Sequence, residues 1–473
     1  KGKGKGKGKD AQSKRVDPRH SEKFHTIITE LIEIIAEPGS TILIFLPGIA
    51  EISALWEEAR QLEERMDLRV FPLHSMIPRE EQEMVFQEPE PHMTNVVLAT
   101  DIAESSITLP CVVAVIDLGL HRRVDHNQAA GISALATKWI SKAAAKQRSG
   151  RAGRTQPGLC LRLYPKNFFE GLPDFEPPES ASMPLDRLYL QAKQLAEKLS
   201  DSLQGPGVPN TAEGLLSQMV QAPSLSAIGT ARSKNAELGV ISAASESAKI
   251  TSLGRLCLQL PIDLRLGRLV WLGSLMGVAA DAVVLASVLS SMDPFSSPSP
   301  LFLREERVFI DKLRASTSAR LLFDGGVLSE PLMHRQLFLE WMSQFHDKEW
   351  VYGDKERVFQ ARRRFTHDFS YRFSLHRGRM EHVISHVLDL SLRVFRQVGG
   401  ASGAAKLLRG LIRGLGYVVN ERGDLSGISW EAWREFRPDQ VFESNTGYLK
   451  ALVAMSFGDQ LFVGGYGQPP QTL

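Results

Sequence analysis

The sequence between residues 24 and 173 alternates between short apolar runs and longer segments with helical periodicity. The apolar runs cover residues 41–46, 70–73, 96–98 and 112–116, and the helical segments cover residues 27–35, 49–66 and 79–86. Runs that are apolar throughout are typical of strands buried on both faces, and strands that alternate with helices build parallel sheets. The alternation therefore predicts an α/β domain built on a parallel sheet.

The rest of the chain is divided by changes in composition and periodicity. We expect a flexible Lys/Gly-rich lead at residues 1–22, the α/β domain at 23–175, a compact and mostly helical module with a short β ending at 176–248, and a larger helical domain at 249–447. The Gly-rich segment at about 399–427 is expected to be an insertion rather than a structural element. Because the chain begins with Lys1 rather than Met, we expect the native protein to extend further.

The overall charge is nearly balanced. Lysine and arginine total 56 against 54 aspartate and glutamate, so the formal net charge is +2. A polyanionic partner would therefore bind at a local site rather than through the charge of the whole chain. The three cysteines lack the paired spacings of a zinc site or a disulfide framework. We expect no metal site and an intracellular location, either cytoplasmic or nuclear.

Residues 269–292 are almost entirely apolar and, at about 20 residues for a span, long enough to cross a bilayer. However, Asp281 lies in the middle of this stretch, and Gly273 and Gly277 interrupt it. A carboxylate is costly in lipid, and glycines favour turns. We therefore predict two helices that meet at a turn, and no contact with a membrane.

Residues 147–154 carry the most specific chemical pattern, Gln-Arg-Ser-Gly-Arg-Ala-Gly-Arg. The arginines recur at every third position, a spacing that aligns them on a helical turn. Guanidinium groups directed to one point suit a phosphate chain, and the small residues between them allow a ligand to approach closely. The simpler alternative is a solvated basic helix end.

Two further patterns lie where predicted strands end. Residues 99–108 follow the run 96–98 and are rich in hydroxyl groups, and Gly48 follows the run 41–46 at a position where a phosphodiester could approach the backbone. The carboxyl ends of parallel strands form the edge at which ligands bind in such folds. Taken singly, each pattern is also compatible with an ordinary capped turn or strand–helix joint.

Together and in this order, these residues resemble the second RecA-like domain of DEAH/RHA-type (DExH-box) RNA helicases, superfamily 2 enzymes that use ATP to translocate on RNA. The family's motif IV resembles residues 45–52, its next motif residues 72–75 and 79–86, its motif V residues 100–108, and its motif VI residues 147–154. The sequences at residues 45–48 and 104–106 are most similar to those of the Tudor-containing germline branch, although this sequence shows no Tudor domain.

The resemblance continues beyond the α/β domain. Residues 251–255, 260–263, 266–267 and 291–295 are similar to the start of the family's ratchet domain, which follows a winged helix. The resemblance thus implies a second RecA-like domain at 23–175, a winged helix at 176–248, a helical ratchet domain at 249–447 and the start of a truncated OB-like domain at 448–473.

The resemblance also implies roles at the nucleotide. Arg151 and Arg154 match the family's arginine fingers, which stabilise charge on the transferring phosphate of ATP. Gln147 matches a residue that holds the γ-phosphate or the attacking water. Further nucleotide contacts are implied for Arg148, Ser106 and Thr108, and base stacking for Phe86, with core packing as the alternative for Phe86.

Contacts to RNA are implied for residues at the strand ends, namely Gly48, His74, Ser75, Thr100 and Asp101. Contacts of this kind grip the phosphate backbone and position the strand without reading its sequence. Asp101 stands where many members of the family carry Asn, so it is expected to add negative charge near the RNA.

ATP hydrolysis in this family also needs a G-x-x-x-x-G-K-[ST] loop and an acidic DEAH box, and neither occurs in the 473 residues. The resemblance therefore implies the C-terminal portion of an ATP-dependent RNA helicase. Its expected partners are RNA, ATP, the absent first RecA-like domain and an activator protein. Mg²⁺ would be held mainly by that first RecA-like domain. We expect this chain alone to bind RNA weakly and to hydrolyse essentially no ATP. The alternative is a non-catalytic RNA-binding clamp or adaptor derived from a helicase.

Overall fold

The computed structural model describes residues 18–472 except 75–83, 105–107, 128–131, 155–156, 177–183, 203–209, 299–305, 347–354, 400–401, 428–435, 459–461 and 464–470. The chain forms two compact units, and the boundary between them lies between Pro184 and Leu185.

The first unit is built on a five-stranded parallel sheet. Its strands are β1 (Thr41–Phe45), β2 (Leu68–Leu73), β3 (Thr94–Ala99), β4 (Val112–Asp117) and β7 (Leu159–Arg162), and a separate hairpin consists of β5 (Leu120–Asn127) and β6 (Ile132–Trp139). Its α-helices are α1 (His25–Ile35), α2 (Ile49–Glu63), α3 (Lys142–Ser149) and α4 (Lys166–Gly171), and 3₁₀ helices cover Pro18–Phe24 and Asp101–Ala103. Every residue of β1 and β3 is buried, as their apolar runs predict, and the predicted parallel α/β fold is confirmed.

The strand order is β2-β3-β1-β4-β7, so the first strand of the chain is the central strand of the sheet. Phe45, at the end of β1, lies opposite Ala99 of β3 on one side and opposite Asp117 of β4 on the other. The connection that leaves β1 leads toward β2, whereas the connection that leaves β4 leads toward β7. The carboxyl ends of β1 and β4 therefore flank the point where connections diverge, which is where open α/β sheets bind ligands.

The antiparallel β5–β6 hairpin follows β4 and is not predicted by the sequence. Its first strand carries His121, Arg122 and Arg123 in succession, so it has neither an apolar run nor a clean alternation. β7 was also missed, because Leu159 is exposed and its neighbours are only half-buried. Most of the predicted helix at 79–86 lies outside the described residues.

The second unit is mostly helical. Its α-helices are α5 (Asp186–Ser202), α6 (Ala212–Ser217), α7 (Leu225–Glu237), α8 (Ser252–Gln259), α9 (Leu264–Leu275), α10 (Ala279–Leu289), α11 (Glu306–Asp324), α12 (Glu330–His346), α13 (Lys355–Arg372), α14 (Arg377–Val398), α15 (Gly403–Gly414) and α16 (Thr446–Ser456). Short strands are β8 (Val418–Val419), β9 (Leu425–Gly427), β10 (Phe462–Val463) and β11 (Gln471–Thr472), and a 3₁₀ helix covers Pro438–Gln440.

The described residues of this unit form two hydrophobic cores. The smaller one joins α5, α6 and α7 to the short bridge between Ile241 and Ile250. The larger one is formed mainly by α9, α10, α12, α14 and α15. The winged helix at 176–248 and the ratchet domain at 249–447 remain predictions.

The apolar stretch at 269–292 forms two helices, α9 and α10, as predicted. They meet at Gly277, whose φ of +79° favours glycine. Asp281 is fully buried in α10, where it accepts hydrogen bonds from Arg335 Nε (2.7 Å) and from the Glu443 N–H (3.0 Å). Within the described part of the chain, no helix has the length and apolarity that a membrane span requires.

The expectation that residues 399–427 form no structural element is wrong, whereas their being an insertion remains a prediction. Residues 403–414 form α15, which buries Leu408, Leu411 and Ile412 in the larger core. Its glycines allow close packing, since a Cβ at Gly410 would overlap the side chain of Val441. The abundance of glycine hid a helix whose apolar residues recur at helical spacing.

Candidate functional site

The three arginines of residues 147–154 run from the core toward solvent. α3 ends at Ser149, and the chain continues through backbone bonds from the Arg151 N–H to the Arg148 carbonyl (3.1 Å) and from the Ala152 N–H to the Ser149 carbonyl (3.3 Å). Bonds between residues three apart bring side chains at that spacing into line. The side chains nevertheless differ in exposure: Arg148 is 0% exposed, Arg151 is 8% exposed, and Arg154 is exposed.

Arg148 is the centre of a buried ionic cluster. Its guanidinium donates to Asp117 Oδ1 (2.8 Å), Asp101 Oδ1 (2.6 Å) and Glu104 Oε2 (3.2 Å), and also to the Leu120 carbonyl (3.1 Å). It also lies over the ring of Phe45, 4.8 Å from the ring centroid. The carboxylates come from the ends of β3 and β4 and the turn between them. The side chain that the sequence assigns to the nucleotide is thus fully engaged inside the protein.

The cluster changes how readily its carboxylates ionise. Burial raises the pKa of Glu104, and the positive charge of Arg148 only partly opposes this. Burial also acts to raise the pKa of Asp101, but a hydrogen bond from His121 and the charge of Arg148 outweigh it and hold the pKa below its usual value. Asp101 is therefore ionised at neutral pH and paired with Arg148, so its negative charge is largely neutralised within the protein.

Asp117 and Tyr164 complete the cluster and were missed by sequence reasoning. Asp117 is fully buried at the end of β4, where it also accepts from the Gly119 N–H (2.9 Å) and the Tyr164 hydroxyl (3.0 Å). Burial and the Asp117 charge raise the pKa of Tyr164 well above its usual range. The available signal was a single aspartate that ends the apolar run of β4.

Arg151 and Arg154 are each tied to the segment that follows β3. Arg151 Nη2 donates to the Glu104 carbonyl, and Arg154 Nη1 donates to Thr108 Oγ1 at 2.9 Å. Burial and the nearby charge of Arg154 lower the pKa of Arg151, so the two guanidinium groups are close enough to influence each other. Because arginine stays protonated in proteins, this pair is a concentrated positive site suited to a polyanion.

The other predicted site residues lie at several places. Gln147 is exposed in the last turn of α3, and Phe86 is 40% exposed, which disfavours core packing as its role. Thr100 is half-buried and occupies the N-cap position of the 3₁₀ helix after β3. Burial and the positive charge of Arg122 lower the pKa of His74. Ser75 and Ser106 lie outside the described residues.

The residues present fit the phosphate end of ATP but not a magnesium ion. The guanidinium groups of Arg151 and Arg154 have the charge and shape that suit a phosphate, and the Arg154 side chain is open to solvent. The nearby carboxylates of Asp101, Glu104 and Asp117 are all paired with Arg148, so they are poorly placed to bind Mg²⁺.

Comparison with known proteins places this site in a known context. A family described as the helicase conserved C-terminal domain matches residues 22–156. The chain is 32% identical over 377 residues to the ATP-dependent RNA helicase TDRD9 of Danio rerio, covering 73% of this chain and 26% of the relative. It is 34% identical over 298 residues to the ATP-dependent RNA helicase DHX30 of Gallus gallus, covering 62% of this chain and 22% of the relative.

Among solved structures, the Escherichia coli DEAH/RHA helicase HrpB is similar at 25% sequence identity with a TM-score of 0.47, covering 63% of this chain and 36% of that one. The chain spans about a quarter of the length of the curated relatives named above. The helicase domain match and these relatives agree with the motifs at the sheet edge. Residues 22–156 are therefore a helicase conserved C-terminal domain, and the chain is related to the C-terminal half of the DEAH/RHA-type (DExH-box) RNA helicases.

Proposed function

We propose that this chain is the C-terminal portion of an ATP-dependent RNA helicase, and that Arg151 and Arg154 are its arginine fingers. The observation that carries the proposal is the arrangement of these two side chains. Both are anchored on the segment that follows β3, through the Glu104 carbonyl and Thr108 Oγ1, and Arg154 remains exposed. Two anchored guanidinium groups at a solvent-facing turn can meet a triphosphate bound by another domain.

In this proposal, residues of this chain bind the phosphates of ATP and the RNA backbone and orient the reacting groups. Arg151 and Arg154 hold the phosphates and stabilise charge that develops during transfer, and Gln147 orients the γ-phosphate or the attacking water. Gly48, His74 and Thr100 hold the RNA backbone at the strand ends. Arg148 holds the segment that follows β3 and the end of β4 together, and it does not touch the nucleotide. Mg²⁺ held by the first RecA-like domain would neutralise part of the phosphate charge.

The test is a chimera in which this chain follows the first RecA-like domain of a DExH-box relative. We expect RNA-stimulated ATP hydrolysis, and a loss of about 10³-fold or more in kcat for Arg154→Gln, because fingers contribute about 10³–10⁵ in rate. Lys146→Gln is the matched control, since Lys146 is exposed on α3 and also loses one positive charge. Equal turnover by the Arg154→Gln and Lys146→Gln chimeras would contradict the finger assignment.

The second candidate is a non-catalytic RNA clamp or adaptor. It is favoured by one observation: Arg148, the first arginine of the motif, is engaged by three carboxylates inside the protein. A chimera that binds RNA but shows no RNA-stimulated turnover would support this candidate over the motor.

A further inference from the structure

Arg122, on β5, lies against the turn that follows β1. A Cβ built on Gly48 would be 2.7 Å from Arg122 Nη1 and 3.0 Å from its Cζ. The φ of Gly48 is −169°, an extended conformation that any residue adopts. The need for glycine at position 48 is therefore one of space: the absent side chain is what lets the guanidinium reach this backbone.

Glu51 fixes the other edge of the same guanidinium. Arg122 Nη2 donates to Glu51 Oε1 at 2.6 Å, and the Glu51 side chain is 5% exposed in the first turn of α2, whereas Arg122 is 24% exposed. Glu51 Oε2 is buried and has no hydrogen-bond partner among the described residues. A buried carboxylate thus holds Nη2 of the guanidinium, Nη1 lies beside Gly48, and the Arg122 side chain as a whole remains partly exposed.

The position within the fold favours a ligand. Gly48 follows β1 and Arg122 follows β4, so the two flank the point where the connections of the sheet diverge. His74, at the end of β2, is close enough for the Arg122 charge to act on its imidazole. Gly48 and His74 are both proposed RNA contacts, and Arg122 brings a permanent positive charge to them.

We propose that Arg122 binds an RNA phosphate beside Gly48 and that Glu51 is a positioning residue that orients its guanidinium. This inference rests on the proposed RNA-binding function. Arginine suits the task because its planar fork can serve a carboxylate along one edge and a phosphate along another, which the single ammonium of lysine cannot do. The competing explanation is an ion pair that only fastens the β5–β6 hairpin to α2.

The experiment measures binding of a labelled oligouridylate to the 473-residue chain by fluorescence anisotropy across a potassium chloride series. For Arg122→Gln we expect binding to weaken about tenfold at low salt, as for loss of one hydrogen bond to a charged group. The slope of log affinity against log salt should also fall by about 0.7, the value for one phosphate contact on a single strand. Arg123→Gln, next along β5 and exposed, is the control of equal charge and should leave the slope at the wild-type value.

Three variants separate positioning from charge and from stability. Arg122→Lys keeps the charge, and Glu51→Gln removes a negative charge that by simple electrostatics would strengthen RNA binding. We expect both to weaken binding several-fold, because each disrupts the fork. Gly48→Ala should weaken binding with little loss of thermal stability, since the group it displaces is the end of a flexible side chain.

The outcomes are distinguishable. If the wild-type chain does not bind the oligonucleotide, the proposed function fails and this inference fails with it. If the wild type binds but Arg122→Gln lowers only the melting temperature, with affinity and salt slope unchanged, Arg122 and Glu51 form a structural pair and this inference alone fails. Should Arg122→Gln not fold, wild-type binding by both Gly48→Ala and Glu51→Gln would overturn it.

Discussion

Replacing Arg148 by methionine should remove much of the stability of the first unit. The substitution keeps an unbranched side chain of similar length but deletes the guanidinium that pairs with Asp117, Asp101 and Glu104. Removing one partner of a buried ion pair costs about 3–5 kcal/mol, because the other charge remains buried. The remaining donors to Asp117, the Gly119 N–H and the Tyr164 hydroxyl, soften this loss, whereas the two further carboxylates increase it. We expect a loss of about 4 kcal/mol.

Native-state hydrogen exchange can measure this loss within the first unit alone. The free energy of exchange for peptides from β4 should fall by about 4 kcal/mol, while peptides from α10 in the second unit serve as an internal control. Arg154→Met is the matched variant, since it changes an exposed arginine of the same motif and should cost no more than about 0.5 kcal/mol. A loss below about 1 kcal/mol for Arg148→Met would refute the assignment of Arg148 as the centre of the cluster.

The loss should also depend on pH. The lowered pKa of Asp101 means that its ionised form stabilises the native state above its unfolded pKa, and that this contribution disappears as the pH falls through the folded value. The Arg148→Met variant lacks the contribution at every pH. The difference in stability between wild type and variant should therefore shrink only as the pH falls below about 4. A difference that stays constant over this range would show that the carboxylates do not carry the effect.

Three other predictions concern the second unit. Arg335→Met should destabilise it by about 3–5 kcal/mol in urea unfolding, because Asp281 is left buried without its guanidinium, and a loss below about 1 kcal/mol would contradict this. Gly273→Ala should destabilise the second unit by about 1–3 kcal/mol, because the added methyl group would overlap α10. Gly229→Ala, whose methyl group meets open space on α7, should stabilise the unit by about 0.5–1 kcal/mol. Thermal unfolding that ranks the two variants in the opposite order would refute this packing. Cys257 is 1% exposed and burial raises its pKa to about 12, so alkylation at pH 8 followed by mass spectrometry should show almost no labelling before denaturation, and rapid labelling of the native chain would contradict its burial.

The parts of this fold that the sequence predicts are those whose neighbouring residues show the apolar pattern of a strand or a helix. The five buried residues of β1 and the two helices at 269–292 each follow from neighbouring residues, because burial on both faces and a glycine turn leave a local signature. The β5–β6 hairpin leaves none, since β5 carries charged residues in succession and the two strands pair with each other rather than with the sheet. α15 was missed for the opposite reason, because glycines that serve packing resemble those of a loop.

The site divides in the same way. The spacing of Arg148, Arg151 and Arg154 indicates phosphate chemistry, but the sequence does not show which arginine turns inward. That depends on Asp117 and Asp101, which lie 31 and 47 residues away along the chain. Ion pairs between residues so far apart in the chain leave no periodic pattern in the local sequence. The same holds for Arg122, whose partner Glu51 is 71 residues away.

The central strand of the sheet is also the first to leave the ribosome. Asn95, the register partner of Thr41, is made roughly 50 residues after β1, which at about 5–20 residues per second means a delay of roughly 3–10 seconds. During that time, the apolar segment Thr41–Phe45 has neither neighbouring strand to pair with and can associate with other nascent chains. Synthesis of the first unit should therefore depend on a chaperone that shields β1 until β3 emerges, and slower translation between β1 and β3 should lower the soluble yield.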